Sequence, residues 1–146
     1  MKSKLVKDIK EAIRLSGLKD GMTVSFHHHL RNGDMVAVMV MEAVREMGIR
    51  DLTVNISSIF DTHEPFIEYI EEGVITGIET DYIGGSVGRA ISEGILKKPV
   101  IFRTHGGRPG DIINGKSPID VAFIAAPTSD PMGNCTGKLG KSACGS

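Results

Sequence analysis

Three imidazoles and a guanidinium crowd one short stretch, Ser25-Phe26-His27-His28-His29-Leu30-Arg31-Asn32-Gly33-Asp34, where an apolar run ends and a helical pattern begins. Such a set suits an anion or a metal better than a core. In strand pleat His27 and His29 face one way and His28 the other. A His-x-His pair on one face can chelate a transition metal, with His63, His105 or Asp61 as a third ligand. The same residues can also form a hydrogen-bonded polar turn. In a third reading, His27, His28, His29 and Arg31 orient carboxylates and stabilise negative charge as it develops on a thioester. The residue types leave all three open. The triplet is no purification tag, because it lies inside the chain between folded-looking flanks.

A second cluster, Arg103-Thr104-His105-Gly106-Gly107-Arg108, joins two arginines and a histidine to a Gly-Gly backbone. Arginine pairs carboxylates through two parallel hydrogen bonds, and glycines let the main chain approach closely. The set suits a polycarboxylate or phosphate; the alternative is a surface loop with solvated arginines. Gly84, Gly85 and Gly88 resemble a phosphate-cradling turn before a helix, without the full dinucleotide fingerprint or a Walker-type GK[ST]. Ser57-Ser58 lacks a G-x-S-x-G elbow and reads as a cap or turn at the site's edge. Asp130 can orient a loop or touch substrate, and Asp130-Pro131 reads as a turn. Cys135 and Cys144 lack zinc-type spacing and a nearby histidine, so they read as cytosolic thiols.

The elements that must position these groups follow from periodicity. Leu5, Ile9, Ala12 and Ile13 recur at helical spacing, ending near Gly17. Met22 to Phe26 reads as a buried strand. Asp34 is a candidate N-cap for a helix bearing Met35, Val36, Met39, Val40, Ala43, Val44 and Met47, closed by Gly48. Leu52, Val54 and Ile56 alternate with Thr53 and Asn55, so 51–56 reads as a strand and Ser57 to Thr62 as a polar loop. A helix starts near Thr62 or His63 with Pro65 in its first turn and ends at Gly73. Val74 to Thr80 is a weaker strand, broken by Gly77. A helix runs from Gly84 to Gly94, and Pro99 to Phe102 is a short strand. Val121 to Ala126 is a continuous apolar run, as in a central parallel strand. Positions 128–146 form a segment rich in Gly and Ser, read as a loop of a longer protein.

Alternating strands and helices imply an α/β domain, its mostly parallel sheet covered on both faces. Right-handed crossovers bring the loops after the strands to one edge, where open α/β sheets bind ligands. The 146 residues amount to one domain with a real core. With 17 basic and 18 acidic residues, the charge gives no support to nucleic-acid or anionic-membrane binding. No apolar run approaches a spanning helix, and no secretory signal is visible.

Several stretches together resemble one family. The histidine segment with its flanks, Asp20 to Asp34, is similar to the N-terminal signature of the citrate lyase alpha chain, the citrate CoA-transferase subunit. Ala90-Ile91-Ser92-Glu93-Gly94, the Arg103 to Arg108 cluster, and Asp120 to Asn134 fit the same pattern. The ending Asp130-Pro131-Met132-Gly133-Asn134 also resembles CoA-transferases more broadly.

The resemblance implies a three-layer α/β/α, CoA-transferase-like fold. It further implies that 1–146 is the N-terminal domain of a longer chain with two related halves. The implied reaction swaps acetyl for citrate on the CoA-like thioester of an acyl carrier (acetyl-CoA or a phosphopantetheine-containing group). A beta chain, the citryl lyase, then cleaves the citryl thioester to oxaloacetate and the acetyl thioester. The partners implied are citrate, the acetyl thioester, the beta chain and the gamma acyl-carrier subunit, in a cytoplasmic homo-oligomeric complex. No metal is expected. His27, His28, His29 and Arg31 are the expected catalytic set. Ser57, Arg103, His105, Gly106, Gly107, Arg108 and Asp130 are expected on the substrate, and Gly84, Gly85, Gly88 and Asn134 on the cofactor. Two other readings stand beside it: a sugar-phosphate isomerase relative, whose acidic signature is absent, and a non-enzymatic metal- or anion-binding module built on the histidine triplet.

Overall fold

The structure is a computed structural model describing residues 3–27, 34–138 and 140. Its elements follow in the order α1 (Ile9–Ser16), β1 (Thr23–His27), α2 (Val36–Glu46), β2 (Leu52–Ile59), a 3-10 turn (Asp61–His63) and α3 (Phe66–Glu71). Then come β3 (Ile75–Ile83), α4 (Gly85–Ser92), β4 (Ile101–Phe102), α5 (Gly107–Ile113), β5 (Val121–Ile124), β6 (Thr128–Ser129) and β7 (Cys135–Thr136). Strands β1 to β5 form one parallel sheet in the order β4-β3-β2-β1-β5, and β6 and β7 form a small antiparallel hairpin. The α/β architecture expected from alternation is therefore the one found.

Alternation along the strands divides the sheet into two unlike faces. Val24 and Phe26 of β1, Val54 and Ile56 of β2, and Ile78 of β3 are all buried in the apolar core. Val40, Met41 and Val44 of α2, Phe66 and Ile70 of α3, and Val87 of α4 complete that core. Each such side chain withdrawn from water contributes roughly 1.5–3 kcal/mol. The intervening positions are polar: Ser25 pairs with Asn55, and Asn55 with Glu79, directly across three neighbouring strands. One step further toward the carboxyl ends come His27, Ser57 and Asp81. Crossovers β1-α2-β2, β2-α3-β3 and β3-α4-β4 move in one direction, so right-handedness sets all three helices on the apolar face. The return crossover from β4 to β5 sets α5 on the polar one.

Several expectations need correction. The first helix begins at Ile9 rather than near Leu5, because Asp8 caps it by accepting a hydrogen bond from Glu11 N at 2.7 Å. Leu5 is correspondingly exposed. Ser57 and Ser58 lie inside β2 and are buried, not on a loop after it. Ser57 shares the polar face with Asn55, and Ser58 turns to the opposite one. Strand β3 passes through Gly77, where a Cβ would lie 2.8 Å from Thr53 Oγ1, so glycine marks close strand approach rather than a break. The apolar run ending the sheet is an edge strand: β5 pairs only with β1 among the described residues, and Ile124 is 52% exposed. Part of segment 128–146 is the β6–β7 hairpin rather than loop, and Pro131 O accepts a hydrogen bond from Lys4 N at 2.7 Å. The glycine stops hold: Gly17, Gly48, Gly73 and Gly94 all take positive φ past helix ends. Asp34 is not the N-cap of α2, a place taken by Met35, but stands one residue before it, its carboxylate accepting from Val36 N at 2.9 Å.

The division of faces has a direct test. Ile56→Ala should cost about 2–5 kcal/mol in urea unfolding, the range for emptying a buried aliphatic site. A loss below 1 kcal/mol would mean the apolar face is not packed as described.

Candidate functional site

Helix α5 brings the second arginine of the Arg103–Arg108 cluster down onto the polar face of the sheet. Gly107 permits its entry. The Gly107 amide donates to Thr104 Oγ1 at 3.0 Å, and a Cβ there would sit 2.8 Å from the same oxygen. Arg108 follows and is buried. Its Nε donates to Asn55 Oδ1 at 2.6 Å, and its Nη2 donates to Ser25 Oγ at 2.8 Å, Phe26 O at 3.2 Å and Asn55 O at 3.3 Å. Burial pushes this guanidinium down from its ordinary value, while the Asp81 and Glu79 carboxylates push it up and Arg103 opposes them. Guanidinium groups stay charged in proteins, so a permanent cation lies beneath the sheet's carboxyl edge.

Behind it stands a second, closed set of polar groups. Glu79 Oε2 accepts from Asn55 Nδ2 at 3.0 Å, from Arg103 Nη1 at 2.8 Å and from the buried Ser117 hydroxyl. Asn55 Nδ2 also donates to Ser117 Oγ at 2.9 Å. Arg103 Nε donates to Asp111 Oδ2 at 2.9 Å. Arg103 is thus committed to two carboxylates with its side chain 11% exposed. It braces α5 against β3 and does not face open space as a substrate arginine would.

A pocket of about 130 Å³ opens in front of Arg108, lined by His27, Ser57, Asp81, His105, Arg108 and Pro109. Here His105 Nδ1 lies 2.8 Å from Asp81 Oδ2; the histidine side chain is 79% exposed and the aspartate 9%. Among the described residues Arg108 Nη1 makes none of the hydrogen bonds that hold the rest of the group. The pocket therefore offers a fixed cation, an oriented imidazole and a hydroxyl within one concavity. That combination binds carboxylates and stabilises developing oxyanions.

Of the residues expected from sequence, His27, Ser57, His105 and Arg108 meet here. Gly106 and Gly107 shape the entry to α5. His28, His29 and Arg31 lie outside the described residues, so their expected catalytic role has no geometry here. Asp130 and Asn134 are elsewhere, in the β6–β7 hairpin. Asp130 Oδ1 accepts from Met132 N at 2.8 Å and Asn134 N at 3.0 Å, and Oδ2 accepts from Asn134 Nδ2 at 2.8 Å. The Asn134 side chain, then its amide, hold the Asp130 carboxyl below the usual carboxylate range. Both side chains are engaged in forming a turn.

Gly84, Gly85 and Gly88 line different cavities, beside Asp61 and Arg89. Gly85 has φ +64°, and Asp61 Oδ1 lies 1.7 Å from where its Cβ would be. A carboxylate already fills the approach to this turn, which disfavours a phosphate there. His63, weighed as a metal ligand, is buried beside Phe60 and Phe66, and its Nδ1 accepts from Phe60 N at 3.0 Å. Among the described residues no three His, Cys, Asp or Glu side chains gather as a ligand set. A larger cavity of about 420 Å³ lies at the amino edge, lined by groups such as Ile70, Ile75, Ile95, Leu96 and Lys98, away from this chemistry.

Sequence reasoning missed Asp81, Asn55, Glu79 and Ser117. The available signal was the alternation Gly77-Ile78-Glu79-Thr80-Asp81, two acids at strand spacing beside buried aliphatics. Asn55→Leu, apolar and of similar size, should still destabilise the fold by about 1–3 kcal/mol for each polar group it strands, Arg108 Nε and Glu79 first. Urea unfolding within 0.5 kcal/mol of the parent would contradict the network.

Comparison with known proteins gives the chain its family. Residues 2–146 match the sequence profile of the family described as citrate lyase, alpha subunit. The citrate lyase alpha chain of Haemophilus influenzae is 48% identical over 98% of this chain, and that of Escherichia coli 47% over the same share. The chain spans 29% and 28% of those relatives' lengths. A crystal structure from Streptococcus mutans, assigned as the alpha subunit of citrate lyase in complex with citrate, superposes with a TM-score of 0.93 at 51% identity. That match covers 99% of this chain and 28% of the other. The polar-faced parallel sheet and its arginine-floored pocket thus belong to a chain of the citrate lyase alpha subunit family.

Proposed function

We propose that this chain supplies the citrate side of an acyl exchange, in which citrate replaces acetyl on the CoA-type thioester of an acyl carrier. The observation that carries the reading is the juxtaposition of Arg108, His105 and Ser57 in one pocket at the sheet's carboxyl edge. The citrate complex of the Streptococcus mutans neighbour supports the choice of ligand. In the exchange, a citrate carboxylate attacks the acetyl thioester carbonyl and expels the thiolate, leaving a mixed citric–acetic anhydride. The thiolate then attacks the citryl carbonyl of that anhydride and expels acetate. Each step passes through an oxyanion. Arg108 fixes one citrate carboxylate, and His105, held by Asp81, presents its outer nitrogen to the reacting carboxyl or its oxyanion. His27 and Ser57 line the same wall, and Arg31, His28 and His29 follow His27 directly in sequence.

The thioester would be acetyl-CoA or the phosphopantetheine-containing group of the gamma subunit. The beta subunit would then cleave the citryl thioester, within a cytoplasmic complex of several copies. This chain corresponds to under a third of its relatives' length. We therefore assign it one domain and leave the thioester's own pocket to the further sequence those relatives carry. Among the described residues no helix is long and apolar enough to cross a membrane. Family membership lends no weight to the sugar-phosphate isomerase or metal-module readings.

The test uses the full-length polypeptide, with exchange followed as citryl thioester formation. Arg108→Lys keeps the charge but loses the planar fork, and kcat/KM for citrate should fall about 10- to 100-fold. His105→Ala should lower exchange while costing no more than about 1–3 kcal/mol of stability, the loss of the partner of Asp81 Oδ2. Wild-type exchange in both variants would refute the assignment.

A further inference from the structure

One acceptor of a pocket-lining residue remains unexplained by carboxylate binding. Asp81 Oδ1 is buried and has no hydrogen-bond partner among the described residues. Its sister oxygen, Oδ2, is taken by His105 Nδ1 at 2.8 Å. The side chain is only 9% exposed and lines the pocket that Arg108 floors. A buried carboxylate oxygen left unpaired is costly, and native structures seldom keep one without a purpose. Electrostatics make the need specific. Arg108 already balances the aspartate's charge at a distance, so what Oδ1 lacks is a proton donor, and a carboxylate of the ligand would be repelled.

A fully ionised citrate carries three carboxylates, which only accept hydrogen bonds, and one hydroxyl, which can donate. We infer that Asp81 is a specificity-determining residue that accepts the hydroxyl hydrogen of a hydroxy-polycarboxylate through Oδ1. The inference rests on the reading of this pocket as the citrate site. It adds a division of labour: Arg108 and His105 answer to carboxylates, and Asp81 counts the hydroxyl. A site built to pair a substrate hydroxyl rejects the analogue lacking it, because the buried partner is then left without a hydrogen bond. The consequence extends to the order of chemistry. A hydroxyl pinned on Asp81 fixes which face of the ligand's carboxylates turns toward His105, so discrimination and orientation come from one contact.

The experiment compares binding of citrate and of its deoxy analogue, propane-1,2,3-tricarboxylate, to the full-length polypeptide by calorimetry. Wild-type protein should prefer citrate by about 10- to 100-fold, the range for a hydrogen bond to a charged group. Asp81→Ala should bring the ratio close to one. His105→Ala should weaken both ligands and keep the ratio, which a merely structural role of Asp81 would not predict. If Asp81→Ala does not fold, Asp81→Leu, of similar size and without an acceptor, takes its place and should also bring the ratio close to one. Equal wild-type affinities, or an unchanged ratio in the Asp81 variants, would overturn this inference while leaving the citrate site standing. Failure of wild-type protein to bind citrate would overturn the reading of the pocket, and the inference with it.

Discussion

A guanidinium withdrawn from water beneath helix α5 sets the terms for the rest of this molecule. Arg108 cannot shed its charge, so burial obliges the surrounding chain to supply acceptors and counter-charge. Ser25, Asn55 and the Phe26 carbonyl supply the acceptors, and Asp81 and Glu79 the counter-charge. These groups come from three adjacent strands at matched register. One side chain therefore ties α5 to β1, β2 and β3 together, and a slip of one residue in any strand would turn an aliphatic side chain toward it. The cost of burying the cation is offset by hydrogen bonds, and what it yields is a charge whose position does not wander.

That constraint explains why the two faces of the sheet differ so strongly. Aliphatic side chains on one face pack against α2, α3 and α4 and hold the domain together. The other face is populated with Ser, Asn, Glu, Asp and His, a poor core but a suitable floor for an anion site. Parallel sheets in such folds usually bury both faces with aliphatics. Here the departure is confined to positions that share α5 as their cover, and the pocket opens where that cover ends.

Much of this was legible from the chain. The alternation of Leu52, Val54 and Ile56 with Thr53 and Asn55 announced a strand with two characters, and the glycine stops placed the helix ends. His27, His105 and Arg108 were named from residue type and loop position, and they do converge. What could not be read was which polar residue faces which. Arg103 and Arg108 look alike in sequence, yet the turn that leads into α5 between them sends one into a brace with Glu79 and Asp111 and the other to the pocket floor. Asp81 lies outside the strand legible in the sequence, which ends at Thr80, whereas β3 continues to Ile83. The Gly84–Gly88 turn misled for another reason: its pattern suits a phosphate, but tertiary structure had already set Asp61 against Gly85. Asp130 and Asn134 satisfy each other within a hairpin, a local pairing that sequence suggests as a turn and cannot exclude as a site.

The central claim is that the charge fixed by the sheet's polar face is the citrate anchor. A crystal structure of the full-length polypeptide with citrate tests it most directly. The account predicts one citrate carboxylate within hydrogen-bonding distance of Arg108 Nη1, in the pocket lined by His27, Ser57, Asp81 and His105. Citrate seated against the Gly84–Gly88 turn or in the amino-edge cavity, with Arg108 uncontacted, would contradict it.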